Sequence, residues 1–271
     1  MPRPILLSAF VLATTSLANA QWEIQSAPTT ASLRGIHALG NGIAWSSGSS
    51  GTVLRTTDDG AHWQLCATPP DAEKLDFRGI QAFDENTAIV MSSGKGDLSR
   101  LYKTIDGCQT WKLLFTNPDK EGIWDAIQFD QRNRFRPTSK YPNHGILVGD
   151  PVRGVFVIYE SYDSGANWHR WEESGGTPPS NMGHRSAKAT NGESLFAASN
   201  STLAVPGMNG PFLFVTGARE DRTFSFLSLI ARLTMEPPGS SLQSACLSSR
   251  VTAQEAFPSR RVIPMVNSPP I

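Results

Sequence analysis

The chain is short of charge, of cysteine and of long apolar runs, and each shortage excludes something. Only 18% of its 271 residues are charged, and 24 Lys plus Arg balance 24 Asp plus Glu, for a formal net charge of zero. That balance gives no broad field for nucleic acid or an anionic membrane surface, so neither is expected as a partner. The three cysteines and five histidines show no metal-ligand spacing, and no metal site is expected. No run beyond the amino terminus approaches the ~18 apolar residues that span a bilayer. The sequence also lacks a phosphate loop, a nucleophile elbow and a haem motif, so no cofactor is expected.

What is present begins with an export signal. Arg3 supplies a positive start, Ile5 to Ala13 a short apolar stretch, and Ala18-Asn19-Ala20 a small-residue cleavage pattern. Cleavage after Ala20 predicts a mature start at Gln21 and a periplasmic or secreted protein without an integral membrane segment. With 23 glycines and 19 prolines the remainder suits many short strands and turns better than helices.

One octapeptide organises the chain. It occurs as Thr56-Thr57-Asp58-Asp59-Gly60-Ala61-His62-Trp63, again as Thr104-Ile105-Asp106-Gly107-Cys108-Gln109-Thr110-Trp111, and again as Ser161-Tyr162-Asp163-Ser164-Gly165-Ala166-Asn167-Trp168. An Asp accepts backbone N–H groups two or three residues on and closes a tight turn. Gly supplies a backbone angle that other residues reach only with strain. Trp then re-enters a strand and packs under the turn. Each motif follows an apolar strand-like run, so the three mark repeats. They resemble the Asp-box, or BNR repeat, of sialidase-like β-propellers. The resemblance implies a folding role on the outer rim for Asp58, Gly60, Trp63, Asp106, Gly107, Trp111, Asp163, Gly165 and Trp168.

The expected architecture is therefore all-β: a β-propeller of four-stranded antiparallel blades with Asp-box hairpins, incomplete, with three to four blades visible between residues 21 and 218. Blade one has strands at 33–38, 42–48, 52–56 and from Trp63. Blade two has them at 77–82, 88–94, 101–104 and 111–115. Blade three has them at 124–129, 145–149, 155–160 and from Trp168, with a basic insertion at 132–140. Arg-Gly-Ile and Ser-Ser-Gly recur at matching places in blades one and two. Blade four starts with strands at 194–199, 202–205 and 212–217, and no fourth octapeptide follows. Trp22 to Gln25 looks like the strand after an Asp-box, which closes many propellers. In a propeller Cys66 and Cys108 fall near the same rim of adjacent blades, which suggests a disulfide and leaves Cys246 over.

Residues 219–271 form an unpatterned tail without tryptophan, although seven tryptophans precede it. Two readings stand. A shifted reading frame would yield such text, poorly ordered and leaving exposed strand edges. Alternatively, the tail is a genuine extension in which 224–233 closes the fold as a strand or helix.

Arg34 and Arg78 hold equivalent places on the innermost strands, and Asp125 takes that place in blade three. Two readings again stand: a shared binding surface around the channel, or pairing of each Arg with a neighbouring blade's carboxylate. Sialidases need an arginine cluster, a tyrosine nucleophile and acidic helpers, and their Arg-Ile-Pro signature is absent. Asp125 and Asp150 are the best carboxylate pair for a glycoside hydrolase, whether sialidase-like or xyloglucanase-like. No residue is assigned a catalytic role. Leader, octapeptides and Arg-Gly-Ile strands together resemble the bacterial proteins similar to the photosystem II assembly and stability factor. That resemblance covers residues 21 to about 218. It implies a non-catalytic assembly module binding a protein partner, such as a membrane-protein subunit, with Arg34 and Arg78 on the binding face.

Overall fold

The computed structural model describes residues 24–130, 144–171, 187–189, 192–196, 200–205, 212–220, 223–231 and 249–251, the last two and 218–220 as backbone only. The export signal, Trp22, the insertion at 132–140, Cys246 and most of the tail lie outside the described residues.

Four antiparallel sheets follow one another around a common axis, a four-bladed β-propeller. Sheet one comprises β1 (Leu33–Gly40), β2 (Ile43–Gly48), β3 (Val53–Thr56) and β4 (Gln64–Leu65). Sheet two comprises β5 (Phe77–Ala82), β6 (Ala88–Ser92), β7 (Arg100–Thr104) and β8 (Lys112–Thr116). Sheet three comprises β9 (Trp124–Phe129), β10 (Gly145–Val152), β11 (Val155–Ser161) and β12 (His169–Arg170). Sheet four comprises β13 (Glu193–Leu195), β14 (Leu203–Ala204), β15 (Phe212–Glu220), β16 (Thr223–Ala231) and β17 (Ser249–Val251).

The strand composition follows from stacking. A strand between two other sheets is buried on both faces and reads as a continuous apolar run. Thus Ala88-Ile89-Val90-Met91-Ser92 is buried throughout. Three apolar layers result. Trp45, Phe77, Ile80, Tyr102 and Trp111 fill the space between sheets one and two. Ile89, Met91, Trp124, Ile127 and Tyr159 fill that between sheets two and three. Ala126, Ile146, Phe156, Leu203 and Phe214 fill that between sheets three and four. Each fully buried aliphatic or aromatic side chain contributes about 1.5–3 kcal/mol relative to exposure. Cys66, just after β4, is bonded to Cys108 in the β7–β8 turn and ties the rims of adjacent blades.

Sheet four corrects the strand order expected at 194–205. The described strands of this stretch, β13 and β14, are not successive hairpin strands. β13 and β14 both lie antiparallel to β15, Leu195 opposite Thr216 and Leu203 opposite Phe214, as two pieces of one innermost strand. A 3₁₀ turn, Asn200–Thr202, interrupts them. β15 extends to Glu220. β16 then pairs along its whole length, from Phe212 opposite Ala231 to Glu220 opposite Thr223. Within the tail, the described part of the apolar run at 224–233 is therefore a strand.

Candidate functional site

The three octapeptides build nearly identical turns between the two outermost strands of their blades. In the first, Thr56 Oγ1 donates to Asp58 Oδ1 (2.8 Å), which also accepts His62 N–H (2.9 Å), while Gly60 N–H donates to Thr56 Oγ1 (3.1 Å). In the second, Thr104 Oγ1 donates to Asp106 Oδ1 (2.8 Å), which accepts Thr110 N–H (3.0 Å), and Cys108 N–H donates to Thr104 Oγ1 (3.1 Å). In the third, Ser161 Oγ donates to Asp163 Oδ1 (2.9 Å), which accepts Asn167 N–H (2.9 Å), and Gly165 N–H donates to Ser161 Oγ (2.9 Å).

Each Asp thus reaches four residues on, while the preceding hydroxyl takes the nearer amide; Asp106 Oδ1 also accepts Gln109 N–H three residues on (3.0 Å), within the expected reach. Each turn carries two consecutive left-handed residues, Asp59 (φ 58°) and Gly60 (86°), Gly107 (67°) and Cys108 (67°), Ser164 (60°) and Gly165 (85°), so in the second turn the glycine takes the first of the two places. The indole N–H groups of the three tryptophans find different partners. Trp111 Nε1 donates to Ala67 O of the preceding blade (2.8 Å) and Trp63 Nε1 to Gln25 Oε1 (3.2 Å). Only Trp168 bonds its own turn, at Gly165 O (3.1 Å). These hydrogen bonds hold Asp58 and Asp106 as carboxylates with pKa lowered to about 2; the largest cause is the His62 amide for Asp58 and the Thr110 hydroxyl for Asp106.

The second constellation sits where the innermost strands begin. Arg34 on β1 and Arg78 on β5 converge on Asp76, the residue before β5. Arg78 Nε donates to Asp76 Oδ2 at 2.9 Å. Arg34 Nε lies 3.4 Å from Asp76 Oδ1, an ion-pair distance without hydrogen-bond geometry. Both guanidiniums are partly exposed.

Asp125 on β9 completes the constellation from below. It is 1% exposed, and its Oδ2 has no hydrogen-bond partner. Burial pushes its pKa up to about 8, Asp150 adds to the rise, and Arg78 opposes it. Asp125 is therefore protonated over most of the physiological range. Asp150 lies on β10, the second strand of its blade rather than the innermost. Its Oδ1 accepts Leu195 N–H at 2.9 Å, and burial raises its pKa too. Arg34 and Arg78 thus meet at Asp76, and Asp125 lies buried within range of the Arg78 charge.

Sequence reasoning missed Asp76 and Asn200. The signal for Asp76 was its place two residues before Arg78. Asn200 sits in the break between β13 and β14, which no repeat pattern marks. Its Nδ2 donates to Ile80 O (3.2 Å) and its Oδ1 accepts Ile127 N–H (3.0 Å), so one amide joins the inner strands of blades two and three. A shallow cavity of about 220 Å³ lined by Arg55, Asp58, His62 and Trp63 lies at the first rim turn, apart from the mouth. Among the described residues no group of His, Cys, Asp and Glu is arranged to hold a metal ion. No helix among them is long and apolar enough to cross a membrane.

No protein-family model and no curated protein matches the sequence. Among solved structures the chain is similar to YCF48 bound to a D1 peptide, with 20% identity and a TM-score of 0.49 over 91% of this chain and 62% of that one. It is similar to YCF48 from Cyanidioschyzon merolae, with 19% identity and a TM-score of 0.49 over 86% of this chain and 61% of that one. An ancestral GH74 enzyme is similar at 16% identity and a TM-score of 0.38, over 78% of this chain and 26% of that one. The chain spans about three-fifths of the length of the two YCF48 structures. The propeller itself rests on the strand pairing above.

Proposed function

We propose that this chain is an exported, non-catalytic propeller that binds a protein partner through the Arg34–Arg78 mouth, in the manner of an assembly factor. The observation that supports the reading is the convergence of two arginines on one carboxylate. Asp76 pairs with both guanidiniums. A partly exposed pair of arginines held by rigid inner strands suits an anionic group on a polypeptide, because guanidinium pairs with carboxylate in a fixed fork. The partner would then be a protein segment bearing acidic side chains or a terminal carboxylate, as on a membrane-protein subunit.

Co-purification from an envelope extract tests the reading. Wild type should retain a partner that the Arg34→Glu/Arg78→Glu double variant does not, with both proteins equally folded by circular dichroism. Identical retained proteins would sink it. The glycoside-hydrolase alternative needs Asp125 or Asp150 in reach of a sugar. The near-complete burial of Asp125 weighs against it, and inactivity of folded protein on aryl-glycosides and polysaccharides would remove it.

A further inference from the structure

The inner strands stack through a repeated socket, and the first blade has its plug unfilled. At the first socket position stands a small residue: Gly35, Gly79 or Ala126. At the second, two residues on, stands a side-chain acceptor: His37, Gln81 or Gln128. The next blade supplies a plug, an aliphatic side chain and, two residues on, a backbone N–H. A Cβ added to Gly35 would lie 3.2 Å from Ile80 Cγ2, and one added to Gly79 would lie 3.0 Å from Ile127 Cγ2. The acceptors take the matching amides. Ala82 N–H donates to His37 Nδ1 (3.2 Å), Phe129 N–H to Gln81 Oε1 (3.2 Å) and Val205 N–H to Gln128 Oε1 (3.0 Å). Burial lowers the His37 pKa and so favours the neutral ring.

Blade one carries the same plug. Register places Ile36 with Ile80, Ile127 and Leu203, and Ala38 with Ala82, Phe129 and Val205. Ile80, Ile127 and Leu203 are 1%, 0% and 3% exposed, whereas Ile36 is 70% exposed. Ala38 is exposed too, and among the described residues no side chain accepts its N–H. His37 points toward blade two, so its neighbours Ile36 and Ala38 face the opposite way. Leu33, at the start of the same strand, is also exposed.

We infer that this face of β1 is a docking surface for a β-strand of a partner polypeptide that reads small residue, any residue, then Gln or His. This face continues an interface that the molecule already builds three times. A head-to-tail second copy does not fit, because blade four carries Thr202 and Ala204 at the socket positions, a bulkier residue and no acceptor. The mouth plays no part, so the fate of the Arg34–Arg78 reading leaves this one untouched.

The test uses the full chain and a synthetic peptide with the sequence of Asp76–Asp84. Amide exchange at Ala38 should slow at least tenfold with this peptide, and stay unchanged when the peptide carries Gly79→Val and Gln81→Leu. An Ile36→Asp protein, altered only at an exposed site, should lose the protection while Ala82 and Phe129 amides keep theirs. Equal protection by both peptides, or none at millimolar peptide, would overturn the inference. Self-association of peptide-free protein that Ile36→Asp abolishes would also overturn it, by making the occupant a second copy.

Discussion

The rim and the mouth use aspartate in opposite ways. Asp58 and Asp106 lie in exposed turns, accept several hydrogen bonds and stay ionised well below the usual carboxylate range. Asp125 is buried with an orphaned oxygen and binds its proton up to about pH 8. The rim satisfies its acceptors and so holds the hairpins. The mouth leaves an acceptor unsatisfied, at a cost in stability.

The largest effect expected is on the rim. Reducing Cys66–Cys108, which closes a separation of 42 residues, should lower stability by about 3–4 kcal/mol in the chain-entropy account. Denaturant midpoints with and without reductant measure it, and unchanged midpoints would show that the rims hold without the tie. Next comes the mouth. Asp125→Asn removes a group whose folded pKa lies above its unfolded value. Such a carboxyl favours folding while protonated, so wild-type stability should fall as pH rises from about 4 through about 8. The variant should lack that decline and gain on the order of 1–3 kcal/mol at pH 9. A parallel pH profile for the two proteins would refute the assignment.

A smaller effect is expected from Thr104→Val, which removes the hydroxyl linking Cys108 N–H to Asp106. The loss should be about 1 kcal/mol, read from thermal unfolding. The smallest effect is the acid response of the exposed turns. Asp58 and Asp106 have folded pKa values below the unfolded one, so their contribution is present above pH 4 and lost as pH falls toward 2. Asp58→Asn should flatten the acid limb and leave the alkaline limb unchanged, which separates rim from mouth in one titration.

The sequence carried the repeats because their physics is local. Within one octapeptide, Thr56, Asp58 and Gly60 make their bonds to one another, so the spacing is legible without the fold. The strands of blades one to three were legible for the same reason, each bounded by turn residues. The mouth was half legible. Equivalent positions on repeated strands put Arg34, Arg78 and Asp125 on one end, but the partner Asp76 precedes its strand and has no counterpart in the other blades. Blade four was misordered because β13 and β14 are short and their pairing with β15 depends on Phe214 and Thr216 far along the chain. Nothing local announces a strand broken around Asn200.

That same residue has a kinetic consequence. Its amide spans 73 residues to Ile127 and 120 to Ile80. During synthesis at about 5–20 residues per second, blades two and three, whose last strand ends at Arg170, would be complete for on the order of 1.5–6 s before Asn200 emerges. Over that interval the Ile80 carbonyl and the Ile127 amide must be served by water, so the axis would be wet first and dry last. Folding would then end in a dehydration step at the axis, and an Asn200→Ala chain would stop short of it.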